Sequence, residues 1–290
     1  MKQQHKTYIY LVLVMMVWGS SWTVGKMVTS SAPADTLVFW RFLFTAVSLV
    51  PFIFIFRQTC AVSALTLAWL TLGGAILFLY NVCFFSGLHN GLAGAGGMLV
   101  TTMNPILTYF LTAVLLKQKS KPRQIIALAS GFTGGLIMLQ IWKFSLADLL
   151  KSGNLLFLVA SLLWAFLTLI SNRLQKSIHF IVYSFYIYTF ATLFSLISTL
   201  VTGNISSTPG DAVFWLDVIY LSLIVTSVAT TFYFLCTSRL GSRQASSFIF
   251  IVPVSAVFLS WLILNEVPSI PTLIGGAMTI TAVLLINSNK

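Results

Sequence analysis

Two stretches, Asn104-Pro105-Ile106-Leu107-Thr108-Tyr109-Phe110-Leu111 and Val252-Pro253-Val254-Ser255-Ala256-Val257-Phe258-Leu259, align at their prolines. The prolines are 148 positions apart in a chain of 290 residues, about half its length. Other anchors recur in the same order. Trp18 and Trp164 are 146 apart, and Gly91 and Gly241 are 150 apart. Gly134-Gly135 and Gly275-Gly276 are 141 apart, so the offset drifts as connecting loops differ in length. Each anchor alone is weak. Their shared order indicates a duplicated unit.

The composition says what kind of unit was duplicated. Only 7% of residues are charged, against 58% hydrophobic, and mean hydropathy is +0.97. A soluble domain carries about 25% charged residues. So few charges cannot cover a soluble surface, which excludes an ordinary soluble enzyme and a disordered chain and leaves an integral membrane protein. The net charge of +11 comes from scarce acids, 5 Asp+Glu against 16 Lys+Arg, and not from the abundant basic residues of a nucleic-acid binder. Cys60, Cys83 and Cys236 are scattered, as are His5, His89 and His179, so neither a disulfide framework nor a metal site is expected.

Apolar runs long enough to cross a bilayer recur at 8–28, 37–56, 66–87, 94–116, 123–142, 154–173, 178–201, 212–236, 243–264 and 269–287. They lack the alternation of barrel strands, so helices are predicted. The first run is longer than a usual signal-peptide core, and Pro33 follows the only small-residue cleavage candidate, so it is read as a retained span. With the N-terminus inside, Lys26, Arg41, Lys143 and Lys151 fall on the outer half and the other 12 of the 16 basic residues on the inner side. The five acids, Asp35, Asp148, Asp211, Asp217 and Glu266, are then all outer. Both termini are predicted to be cytoplasmic. Five spans per repeat is an odd number, so the second repeat enters the membrane from the opposite side. The fold predicted is an all-α integral membrane protein of ten transmembrane helices in two inverted five-helix repeats, residues 1–143 and 144–290. Inverted repeats are a signature of secondary transporters. The loops are short, leaving no room for a soluble catalytic or nucleic-acid-binding domain.

At this point the chain resembles the drug/metabolite transporter superfamily, EamA type. The match rests on Val17-Trp18-Gly19-Ser20-Ser21-Trp22 in the first span, Arg41-Phe42 in the second, and the prolines of the fourth and ninth. It extends to Leu262-Ile263-Leu264-Asn265-Glu266 and to the Gly-Gly motifs of the fifth and tenth spans. The chain departs from the pattern where the first repeat should end its fourth span in an acid: it has Leu115-Leu116-Lys117-Gln118-Lys119, leaving Glu266 as the only candidate for that role. The resemblance implies a transporter of a bacterial cytoplasmic membrane, with amino acids or their derivatives as solutes and export as direction.

Polar side chains within spans are costly in hydrocarbon and usually face the bundle interior. Trp18, Ser21, Trp22 and Gly25 share a helix face, which suits a cavity wall or an interfacial anchor. Tyr80 and Asn81 sit mid-span in the third run. Thr101 and Asn104 precede Pro105, which frees a carbonyl one turn earlier; they suit either that carbonyl or a polar solute. In the second half Trp164 and Thr168, Thr230 and Tyr233, and Phe250 with Pro253 are the counterparts. Together they predict a neutral, hydroxyl-rich pocket with aromatic walls, able also to hold an ammonium by cation–π attraction. Lys26 and Arg41 are placed near the outer mouth, Lys26 snorkelling and Arg41 structural, gating or solute-drawing. Glu266 is read as packing or capping against the Ser269–Pro271 turn.

No Asp, Glu or His falls at the midplane in this topology, and no P-loop occurs, so an exchanger or facilitator without cofactor or nucleotide drive is expected. Its partners are a small-molecule solute and the lipid bilayer, with no nucleic acid, as a monomer or homodimer. An intramembrane enzyme would need a nucleophile or acid–base set, and none is visible. The remaining alternative is a non-transporting membrane scaffold, or a subunit of a lipid-linked sugar flippase.

Overall fold

A computed structural model describes residues 2–115, 122–140, 142–143, 153–174, 177–240 and 248–287. Among the described residues the regular structure is helical throughout. A chain this apolar leaves few alternatives, because backbone groups in hydrocarbon must be bonded within their own segment. The helices are α1 (Lys2–Val28), α2 (Ala34–Ile55), α3 (Ala64–Asn90), α4 (Ala93–Leu115) and α5 (Pro122–Leu139). Then follow α6 (Gly153–Leu174), α7 (Phe180–Thr202), α8 (residues 212–240), α9 (Ile251–Leu264) and α10 (Ile270–Asn287). Among the described residues, seven stretches are long and apolar enough to cross a membrane: α1 to α4, α6, α7 and Ala212–Tyr233 of α8. Ile125–Leu139, Ile251–Leu264 and Ile270–Ala282 are shorter apolar helices.

The helix ends follow from local chemistry. Ser63 caps α3 by accepting the Thr66 N–H at 3.2 Å, and Asp211 caps α8 by accepting that of Phe214 at 2.8 Å. Gly203 closes α7 with φ at 73°, the left-handed conformation that favours glycine. α8 is a single rod whose middle, Tyr220–Val228, is a π-helix between the α-helical ends Ala212–Ile219 and Ala229–Leu240.

The two repeat prolines differ in position. Pro105 lies inside α4, as read from the sequence. Pro253 does not interrupt a long helix. It stands in the first turn of α9, just after the 3₁₀ turn Phe248–Phe250, where a proline deletes no intrahelical hydrogen bond. Sequence alone joined these residues to a span running from 243. Of the other sequence expectations, those on Lys117, Lys119 and Lys121, Asp148 and Lys151, Lys176, Gly241, Arg243 and Lys290 lie outside the described residues.

Side by side, α5 packs on α10, α2 on α7, and α4 on α9. α3 packs on α6 and α7, while α1 packs on α8 and α9. Small residues let these backbones approach, as expected where lipid removes the hydrophobic drive between helices. At the α5–α10 crossing Gly134 and Gly275 face each other, and a Cβ built on Gly134 would stand 2.7 Å from the Gly275 carbonyl oxygen. Hydroxyls add cross-links between α2 and α8: Ser48 and Ser227 are bonded at 2.6 Å. Outward faces carry large apolar side chains such as Phe54, Val201 and Leu262, the surface a lipid-facing bundle presents.

Candidate functional site

Eight helices meet around a cavity of about 180 Å³. α1 contributes Trp18, Ser21 and Trp22, α2 contributes Arg41 and Phe42, and α3 contributes Leu77, Tyr80, Asn81 and Phe84. α4 adds Val100, Thr101 and Asn104, α6 adds Trp164, and α7 adds Tyr188. Val225, Thr226 and Thr230 of α8 complete the wall, with Ile249 of the turn before α9 and Val252 in that helix's first turn. Only α5 and α10, which pack against each other, stay out of it. A larger hollow of about 420 Å³ lies at the end of the bundle, between the turn 29–34 and the end of α3 at His89 and Asn90.

The aromatic wall is built from ring contacts between elements far apart in sequence. The Tyr80 and Trp164 centroids are 4.8 Å apart, and those of Trp22 and Phe84 4.7 Å apart in an edge-on arrangement. Trp18 leans on Tyr233 at 5.1 Å. Its indole N–H donates to the carbonyl of Val225 at 3.2 Å, within the π-helix of α8. That segment also sets the register of the polar groups. The Thr226 hydroxyl donates to the Leu221 carbonyl and the Ser227 hydroxyl to that of Ser222, both five residues back. A π-helix in a helix interior often marks a functional position, because it shifts the side chains that face the lumen.

Of the residues predicted from sequence, Trp18, Trp22, Tyr80, Asn81, Thr101, Asn104, Trp164 and Thr230 line this one cavity. Thr168 does not; its hydroxyl bonds the Trp164 carbonyl at 2.8 Å, the usual fate of threonine in an apolar helix. Tyr233 stands behind Trp18 and is not part of the wall. Phe250 ends a 3₁₀ turn, and its side chain lies outside the described residues. Thr101 and Asn104 were expected either at the carbonyl freed by Pro105 or at a solute. The Thr101 hydroxyl donates to the Gly97 carbonyl at 2.5 Å, not to the one Pro105 frees, and the Asn104 side-chain oxygen accepts from Thr108 at 3.1 Å; both residues remain in the cavity wall.

Arg41 is the main correction. It is not at a mouth but in the cavity wall. It sits seven residues into α2, about 10 Å from that helix's start at 1.5 Å per residue. Nη1 donates to Asn81 Oδ1 at 3.2 Å and Nη2 to Thr226 Oγ1 at 3.4 Å. Nε is buried without a hydrogen-bond partner. Phe84, Tyr188 and Val225 are wall residues the sequence reading missed. Phe84 falls four positions after Tyr80, so the helical period could have supplied it. Tyr188 follows Tyr183, Phe185 and Tyr186, a run whose aromatic residues show no helical phase.

Two charged groups at the helix ends also differ from expectation. Lys26 does not snorkel outward. Its ammonium donates to the carbonyls of Leu88, His89 and Gly91, at and just beyond the C-terminus of α3, where a cation meets unpaired carbonyls and a favourable dipole. Glu266 does not cap its own Ser269–Pro271 turn, where Ser269 takes the Thr272 N–H instead. It reaches across to α4 and accepts the Gly94 N–H at 3.1 Å. Burial pushes the Glu266 carboxyl above the ordinary carboxylate range. The backbone bonds from Gly94 and Ala93 and the charge of Lys26 pull the other way.

Residues 5–140 and 151–288 each match the EamA-like transporter family, so the match covers almost the whole chain in two copies. The chain belongs to the EamA-like transporter family. It is a multi-pass membrane protein and a transporter of the EamA type. Among curated proteins it is 24% identical to an uncharacterized transporter of Archaeoglobus fulgidus over 98% of both chains. It is 26% identical to the uncharacterized transporter YetK of Bacillus subtilis, over 91% of this chain and 82% of that one. A solved crystal structure superposes with a TM-score of 0.64 at 17% identity, over 98% of this chain and 97% of its own, a likeness of fold alone.

Proposed function

We propose that this EamA-type chain is a ten-span secondary transporter of small amphiphilic metabolites, amino acids or their derivatives, working by alternating access without nucleotide hydrolysis. The observation that carries it is the cavity itself. Its polar groups, Asn81, Thr101, Asn104, Thr226 and Thr230, are set among Trp18, Trp22, Tyr80 and Trp164, and the wall is drawn from both halves of the chain. A solute with one polar end and one apolar body fits such a lining.

The two-repeat reading, residues 1–143 and 144–290, draws support from the packing. Exchanging each helix for the one five places along turns the α3–α6 contact into α8–α1, and α4–α6 into α9–α1, and both partners of each exchange are present. The α2–α7, α4–α9 and α5–α10 contacts map onto themselves. A pseudo-twofold axis through those pairs suits rocking of the repeats about the cavity between inward- and outward-open states. In this reading both termini are cytoplasmic, the membrane is a bacterial inner membrane and export is the working direction. A C-terminal reporter that proved extracellular would overturn the orientation.

Transport is tested by counterflow in proteoliposomes preloaded with a pool of amino acids and related metabolites. Trans-stimulated uptake of one or more labelled members is expected. Flat uptake of all members by folded protein would overturn the amino-acid reading and favour a scaffold that acts with a partner.

A further inference from the structure

Resting on that transport reading, we propose that the cavity recognises its solute by a single carboxylate, paired with the guanidinium of Arg41. Three observations converge on this group. Arg41 lines the central cavity, within the membrane-spanning part of α2. Its hydrogen bonds go to two neutral acceptors, the Asn81 amide oxygen and the Thr226 hydroxyl. Its Nε is buried with no partner at all.

The described carboxylates are engaged elsewhere or placed elsewhere. Asp35 accepts from the Thr36 backbone and from Thr202 and Asn204, Asp211 caps α8, and Glu266 takes Gly94. Asp217 lies about one and a half turns from the start of α8 and is not in the cavity wall. Arginine remains protonated in proteins, so the cavity wall carries a full positive charge that no described acid neutralises. A charge held this way in hydrocarbon is costly, and intramembrane charges that persist are typically paired or set in a solute path. The Phe84 and Phe85 rings, with centroids 5.8 and 5.7 Å from the guanidinium carbon, offset only part of that cost.

An anion entering the cavity supplies the missing partner. The planar guanidinium in the wall matches a planar carboxylate, parallel N–H donors to two oxygens, and a carboxylate is a stronger acceptor than the neutral Asn81 and Thr226 oxygens that its Nη1 and Nη2 now meet. One cation in the wall selects a monoanion over a phosphate ester. The Tyr80, Trp164 and Trp18 rings in the same wall receive an apolar body beside that carboxylate. The same charge repels a bare amine, so the aromatic rings do not serve as a site for cations lacking a carboxylate.

The test uses the full chain in lipid nanodiscs and the fluorescence of the cavity tryptophans. The probes are 3-phenylpropionate, L-phenylalanine and 2-phenylethylamine, which carry the carboxylate alone, both charges and the amine alone. Saturable quenching by the two carboxylates and none by the amine is expected. Arg41→Gln should weaken carboxylate binding at least tenfold, with Arg41→Lys intermediate because it keeps the charge and loses the fork. Asn81→Asp offers an internal carboxylate to the same guanidinium, keeps the side chain's shape, and should abolish carboxylate binding in protein that remains folded. Equal quenching by the amine, absence of carboxylate binding in the wild type, or undiminished binding in Arg41→Gln and Asn81→Asp would each overturn the assignment. Wild-type protein that fails here but exchanges labelled 2-phenylethylamine across proteoliposomes would lose this headgroup assignment and keep its transport function.

Discussion

Gly275→Val will leave little folded protein in detergent, whereas Gly135→Ala, one position from the glycine it faces, will leave thermal stability almost unchanged. The difference lies in what each new side chain meets. A Cβ on Gly275 runs into the carbonyl oxygen of Gly134, stands 2.5 Å from Met138 Cγ and is 3.1 Å from the Met138 backbone nitrogen. Two of those three atoms belong to the main chain of α5, which moves only if the whole α5–α10 contact opens. Overpacking of this kind costs about 3 kcal/mol where no relief exists. A branched Val adds two more carbons to the same gap. A Cβ on Gly135 meets the sulfur of Met103 at 2.6 Å, and that thioether can swing aside. Alanine also gains about 1 kcal/mol of helix propensity over glycine, which offsets the shift. A Cβ on Gly276 meets Met98 more broadly, its sulfur at 2.6 Å and both Cε and Cγ at 2.9 Å, so Gly276→Ala should cost more than Gly135→Ala and less than Gly275→Val. The check is the thermal unfolding of each purified variant with the monodisperse fraction on gel filtration. Equal losses from Gly275→Val and Gly135→Ala would sink the idea that backbone contact at this crossing decides the outcome.

The Gly-Gly pairs also show what could be read from sequence. The duplicated motif was legible as a repeat anchor but not as the crossing between the two repeats that it forms, whereas composition and the lack of strand alternation made the chain membrane-bound and helical. Helical phase then gathered Trp18, Ser21 and Trp22 on one wall, and mid-span position picked out Tyr80 and Asn81. Period reasoning fails where the helix is not a regular α-helix. The π-helix at Tyr220–Val228 carries no Gly or Pro signal, yet it sets the register that aims Thr226 at Arg41 and Val225 at Trp18. It also explains why Tyr233, grouped with Thr230 in the sequence reading, lies behind the wall. Arg41 was misplaced for a different reason. Charge rules rank it with outer basic residues, but those rules describe loops, and this side chain is held inside by Asn81 and Thr226 from two other helices. Lys26 and Glu266 bond groups that are distant in sequence, α3 carbonyls and an α4 amide, and no local pattern announces such partners.

Trp164→Ala will cut counterflow at least tenfold while leaving a folded protein, and Trp22→Ala will lose the fold first. Both residues were predicted as cavity lining, and both are in the wall, but they are held differently. Trp22 is only 3% exposed. Its ring packs edge-on to Phe84 at 4.7 Å and to Phe157 at 5.7 Å, and Phe157 is itself fully buried against Gly87 and Gly96. Removing it opens a void at a junction of α1, α3, α4 and α6, at a cost of about 4 kcal/mol. Trp164 is half-buried, with the Tyr80 ring centroid 4.8 Å from its own. It lines the cavity, so truncation enlarges a space that already exists and costs stability far less. The same truncation removes the surface on which an apolar solute body would rest, and the loss appears in flux. Thermal unfolding and counterflow measured on the same preparations separate the two effects. A Trp164→Ala protein with normal counterflow would remove α6 from the solute path. A Trp22→Ala protein that melts with the wild type would show that the α1 junction repacks more freely than its ring contacts imply.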